Sequence, residues 1–182
     1  MDFREAQKDM RNAYLGGGSG VLISGIVWIT AGIVAIYYSK QTSIIVFFIA
    51  GMLIHPIGIL AAKLFNRSGK HLKKNPLANL AMESTVVLFI GLFLVYSLFQ
   101  TLPNWFFPIM LMIIGVRYLI FQTIYGTKIY WILGMVLIAV GMFFLNSNQP
   151  FHLPALVGGI IELIFSVLII QLDRNNYKLI KE

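Results

Sequence analysis

Six apolar runs, at residues 20–38, 43–62, 79–99, 105–124, 129–146 and 153–172, dominate this chain of 182 residues. Each approaches the roughly 20 residues that an α-helix needs to cross a hydrocarbon core. Unpaired backbone groups are costly in hydrocarbon, so runs of this length predict helices rather than loops or open sheets. Between them stand short polar or turn-forming stretches such as Thr101-Leu102-Pro103-Asn104 and Asn146-Ser147-Asn148-Gln149-Pro150, and one long basic segment from Lys63 to Pro76. The fold class read from this pattern is all-α, a polytopic membrane protein with six transmembrane helices.

Composition agrees. Apolar residues make up 58% and charged residues 12%, against about 25% charged in an ordinary soluble domain. Mean hydropathy is +0.81. Six spans leave no room for a soluble domain, so residues 1–182 read as one membrane domain. No cysteine is present, which excludes disulfides, thiolate metal sites and thiol nucleophiles. The net charge of +7 would suggest nucleic acid in a soluble chain. Here it points to loops held against anionic lipid headgroups, and no nucleic-acid partner is expected.

Lys and Arg placement gives an orientation. One set of loops holds Arg4, Lys8, Arg11, Lys63, Arg67, Lys70, Lys73, Lys74, Lys128, Arg174, Lys178 and Lys181; the opposite set holds only Lys40. The positive-inside rule then places both termini in the cytoplasm of a bacterium, with the bundle in its inner membrane. The first run lacks a small-residue cleavage site and reads as a retained span. Residues 1–15 carry Phe3, Ala6, Met10, Ala13 and Tyr14 at helical spacing. They predict a short amphipathic helix on the inner membrane surface. Gly16 to Gly20 would then form a flexible corner. This glycine run lacks the Lys-Ser/Thr ending of a phosphate loop.

Small residues recur at a spacing of seven. Gly25 and Gly32, Ser84 and Gly91, and Gly134 and Gly141 are each followed by a glutamine at the next turn (Gln41, Gln100 and Gln149). The returning runs carry Gly51 with Gly58, Gly115 with Gln122, and Gly159 with Ser166. Seven residues make two helical turns, so each pair lies on one face and allows close helix approach. The pattern predicts three tandem hairpins: 20–62, 79–124 and 129–172. A basic cytoplasmic loop at 63–78 and a cytoplasmic tail at 173–182 complete the chain.

The run Glu5-Ala6-Gln7-Lys8-Asp9-Met10-Arg11 leading to Tyr14-Leu15-Gly16-Gly17 resembles an uncharacterised family of bacterial six-helix membrane proteins. The repeat, and most closely the last helix around Gly159-Ile160-Ile161-Glu162-Leu163, resembles the HdeD-type acid-resistance membrane proteins. Those are built from three tandem helical hairpins. The second resemblance implies a stress-related role without a mechanism.

Ionisable residues inside spans are costly and mark candidate sites. Four fall in the half nearest the basic loops: His55, Glu83, Arg117 and Glu162. At about 1.5 Å per residue, their depths are ~12, ~10, ~10 and ~16 Å. Glu83 and Arg117 match in depth and oppose in sign, which predicts an ion pair. Alternatively Arg117 binds an anionic headgroup or substrate, since its fork suits carboxylate or phosphate. Glu162 has no local partner. It is either a hydrogen-bonded link between helices, to Ser24, Thr30 or a tyrosine, or a carboxyl poised to carry protons. Tyr118 completes the ligand- or ion-binding candidates. His55 precedes Pro56, which frees a backbone acceptor one turn earlier and can kink the helix. Lys63, Arg67, Lys70, Lys73 and Lys74 are the candidates for lipid-headgroup contact.

No catalytic or metal-ligating constellation is evident, and no cofactor is expected. The activity read from these features is a non-enzymatic membrane protein that binds or translocates a small molecule or ion through the inner polar layer. A structural or stress-response protein acting by homo-oligomerisation or with a partner is the alternative. An intramembrane enzyme on lipid substrates comes third.

Overall fold

The computed structural model describes residues 1–179, with side chains through Asn175; the end of the expected tail, 180–182, lies outside the described residues. Seven α-helices follow in order: α1 (Phe3–Tyr14), α2 (Gly18–Tyr37), α3 (Lys40–Leu64), α4 (Leu77–Phe99), α5 (Phe106–Tyr125), α6 (Ile129–Asn146) and α7 (Leu153–Leu179). Among the described residues there is no strand. Helices α2 to α7 are each long and apolar enough to cross a membrane, which makes this an integral membrane protein. Residues 173–179 continue α7 rather than forming a separate tail.

The order of packing differs from the order of the chain. α2 packs on α3 and α4 on α5, as hairpins do, but α7 lies chiefly along α2 and α6 chiefly along α5. The last two helices are consecutive without being each other's main partner. Glycines make the two long-range seams. A Cβ added to Gly25 would stand 3.0 Å from the Gly159 carbonyl oxygen, and one on Gly159 would stand 2.8 Å from that of Gly25. On α5 and α6, the same reciprocal approach joins Gly115 and Gly134 at 2.7 and 2.6 Å. Association between helices in lipid depends on such close packing, because lipid tails are as apolar as leucine.

The end of the bundle carrying the basic loop, here the basic end, is closed by α1. Asp2 and Glu5 form a capping box that starts this helix. Ala6, Met10 and Ala13 are buried. The helix is also fixed by polar anchors. Gln7 donates to the Thr123 carbonyl at 2.8 Å and Arg11 to that of Tyr125 at 2.6 Å. Asn75 donates to the Ala6 carbonyl at 3.0 Å and to Asp9 at 2.7 Å. Of the apolar stripe expected to rest on the membrane surface, Ala6, Met10 and Ala13 are therefore covered by protein, while Phe3 is exposed. The expected flexible corner is also replaced by a fixed one. Leu15, Gly16 and Gly17 all have positive φ, and Tyr130 donates to the Gly16 carbonyl at 2.7 Å. A Cβ on Gly17 would collide with the Tyr130 hydroxyl and the Tyr125 ring.

The opposite half of the bundle is sealed by rings. Trp28 lies 4.7 Å from Phe47 and 5.7 Å from Phe107, and Phe107 lies 4.8 Å from Phe151. Phe106 and Phe107 are fully buried. Edge-on and tilted packing of this kind fills that half of the bundle with buried ring surface.

Candidate functional site

Below that aromatic seal, α7 presents Glu162 to the middle of the bundle. Its exposure is 0%. Tyr118 on α5 donates to Glu162 Oε1 at 2.9 Å, and the Ser24 side chain of α2 lies beside both. Among the described residues Oε2 has no hydrogen-bond partner. A buried carboxyl oxygen left unpaired is expensive, so this is the polar position that packing alone explains least. Small residues create the space. Gly25 and Gly159 bring α2 against α7 and place Ser24 one residue from the contact. Of the three partners the sequence suggested, Ser24 and a tyrosine are present. Thr30 is exposed and donates instead to Ile26 of its own helix.

Arg117 lies one residue from Tyr118 and extends from α5 toward α4. Its Nη2 donates to Thr85 Oγ1 at 3.0 Å, and its guanidinium stands 5.1 Å from the centre of the Phe121 ring. Its Nε is buried without a partner among the described residues. The expected ion pair with Glu83 is not made. Glu83 is exposed, and two residues along a helix amount to about 200° of rotation. With Thr85 turned to Arg117, Glu83 must point away. A Thr85→Val substitution is accordingly expected to lower stability by about 1.5–3 kcal/mol, the weight of a hydrogen bond to a charged group. Glu83→Gln should change it by less than about 0.5 kcal/mol. Denaturation of the purified variants in detergent compares the two directly.

His55 sits on the exposed face of α3, with its ring 6.3 Å from that of Tyr14. The Tyr14 hydroxyl in turn lies 2.7 Å from His71 Nδ1. The structure thus joins Glu162 to Tyr118 in the interior, places the partly buried Arg117 one residue along α5 and turned to α4, and leaves His55 on the exposed face of α3. Two surface hollows, of about 370 and 400 Å³, lie at opposite ends of the bundle. Neither is lined by Glu162.

Four of the basic residues expected at lipid headgroups, Lys63, Lys70, Lys73 and Lys74, are exposed. Arg67 is not: it is buried and bonded to Asp173 of α7 at 2.5 Å, with side-chain exposures of 5% and 7%. This pair ties the loop to the last helix. The sequence reading assigned Asp173 to the polar tail, and no local spacing links it to a residue 106 positions away.

Residues 3–172 match the family of unknown function DUF7010, and the chain belongs to that family. No curated protein and no solved structure matches it, so the likeness to HdeD-type proteins gains no support from either.

Proposed function

We propose that this protein binds a proton or small cation at Glu162 and exchanges it with the side of the membrane that faces the basic end. The observation that carries the reading is the Glu162 carboxyl, fully buried, with one oxygen held by Tyr118 and the other without a hydrogen-bond partner among the described residues. Retaining an ionisable group at that depth is costly, and the hydrogen bond from Tyr118 would be met as well by a neutral amide. The aromatic seal on the far side favours a binding step with one-sided access over an open channel. Tyr118, and Arg117 with Thr85 beside it, are the polar groups past which such an exchange would run.

The basic end is assigned to the cytoplasm of the inner membrane, supported by the twelve Lys and Arg on that side against one on the other. A triplicated hairpin as the origin of the bundle is supported by the two glycine seams, which repeat one set of contacts at equivalent positions.

The cysteine-free chain offers a direct test of access. Ser24→Cys, reconstituted in vesicles, should react with a small cationic thiol reagent applied from the basic side and stay unreactive from the other. A cysteine inert from both sides would mean that the Glu162 cluster is dry packing, and the reading would fail.

A further inference from the structure

The two glycine seams share one register. Between α2 and α7, Leu163 meets Gly25, Leu156 meets Gly32 and Ile29 meets Gly159. Between α5 and α6, Leu119 meets Gly134, Met112 meets Gly141 and Ile138 meets Gly115. Carried to α3 and α4 by the sevenfold spacing, the same register would set His55 on Ser84, Phe48 on Gly91 and Leu88 on Gly51. That third seam is open. A Cβ on Gly51 would find no described atom within 4 Å, Phe48 is 41% exposed, and Gly91 rests on Ile113 of α5 instead. α3 and α4 are also the least covered of the six spans.

The open face is polar and cationic at one end and apolar beyond. Toward the basic end stand Arg117, joined to Thr85 of α4, and His55 of α3, whose ring lies 6.3 Å from that of Tyr14 in the Tyr14–His71 pair. The segment joining α3 to α4, Lys63 to Lys74, carries five Lys or Arg and no acid, and Lys63 and Lys70 are exposed. Of the nearby acids, Asp9 is engaged by the Leu72 N–H and Asn75, Glu83 points away from Thr85 and Glu162 lies behind Tyr118. Above this level the face turns to Phe48, Gly51 and Leu88. A molecule matching it has an anionic head toward the basic end and a hydrocarbon tail toward the membrane centre. Lipids of the leaflet on that side present that shape and charge to the cleft.

We propose that the open α3–α4 seam holds one anionic phospholipid, its phosphate near Arg117 and the rim lysines and an acyl chain against Gly51. The proposal shares Arg117 with the reading of Glu162 but requires no ion movement, so either can fail alone. The test is native mass spectrometry of the full chain offered equal amounts of phosphatidylglycerol and phosphatidylcholine. The expected result is one phosphatidylglycerol per chain, preferred by roughly ten-fold, because the choline ammonium of phosphatidylcholine offsets the phosphate charge that the cationic rim attracts. Arg117→Gln should remove the preference. Gly51→Leu should remove the adduct by filling the seam, and Lys128→Gln, outside the cleft, should change neither. If Arg117→Gln does not fold, Gly51→Leu decides, because the leucine meets no described atom at its Cβ. Equal retention of both lipids, or an undiminished adduct in Gly51→Leu, would overturn the proposal. So would a lipid-free dimer, which would give the seam to a second copy.

Discussion

Gly134→Leu should yield a chain that no longer holds its bundle, while Gly51→Leu should be as stable as the wild type or slightly more so. The two substitutions are chemically identical and both lie on spanning helices. At Gly134 the new Cβ would stand 2.6 Å from the Gly115 carbonyl oxygen and 2.7 Å from Leu119. The oxygen is backbone and cannot rotate away, so α5 and α6 must separate along their length. Overpacking of this kind costs roughly 3 kcal/mol, and in lipid no hydrophobic gain between helices offsets it. At Gly51 no described protein atom has to move, and leucine improves helix propensity by about 0.8 kcal/mol over glycine. Denaturation in mixed detergent, followed by helical circular dichroism, measures both. Equal losses in the two variants would show that glycine acts through the backbone rather than through the seam.

The second large effect concerns Glu162. Glu162→Ala should lower stability by about 3 kcal/mol, because it opens a cavity in a fully buried position and strands the Tyr118 hydroxyl. Glu162→Gln keeps an acceptor for Tyr118 and the same volume, so it should lose less than about 1 kcal/mol. Ion binding should vanish in both. This separation matters, since a carboxyl kept for packing would predict that Gln and wild type behave alike in every assay. A glutamine variant as unstable as the alanine one would mean that the charge itself holds the fold.

Hydropathy alone was enough to place the six spans, since run length and the cost of bare backbone in lipid leave few alternatives. Helix partners were not legible in the same way. A seven-residue spacing tells which face of a helix is small, but not which helix covers it. Gly25 could have met α3, its neighbour in the chain, yet it meets Gly159 on α7. Depth and charge likewise suggested that Glu83 pairs with Arg117, and both were insufficient. The angle around the helix decided the contact in favour of Thr85, whose uncharged side chain gave no signal. Arg67 shows the limit for loops. A basic residue in a basic segment reads as a lipid contact, and only the tertiary fold brings Asp173 to it. α1 was legible as amphipathic, but amphipathicity does not distinguish a lipid surface from the end of a bundle. Glu162 was legible in part: Ser24 and a tyrosine, two of the partners its residue type suggested, lie beside it, and its second oxygen has no hydrogen-bond partner among the described residues.

Titration of the purified protein in detergent, with sodium in one arm and with acid in the other, tests the central claim most directly. Wild type should bind one sodium ion, or take up one proton more than Glu162→Gln, folded and at equal concentration. Wild type and Glu162→Gln indistinguishable in both arms would contradict a site at Glu162.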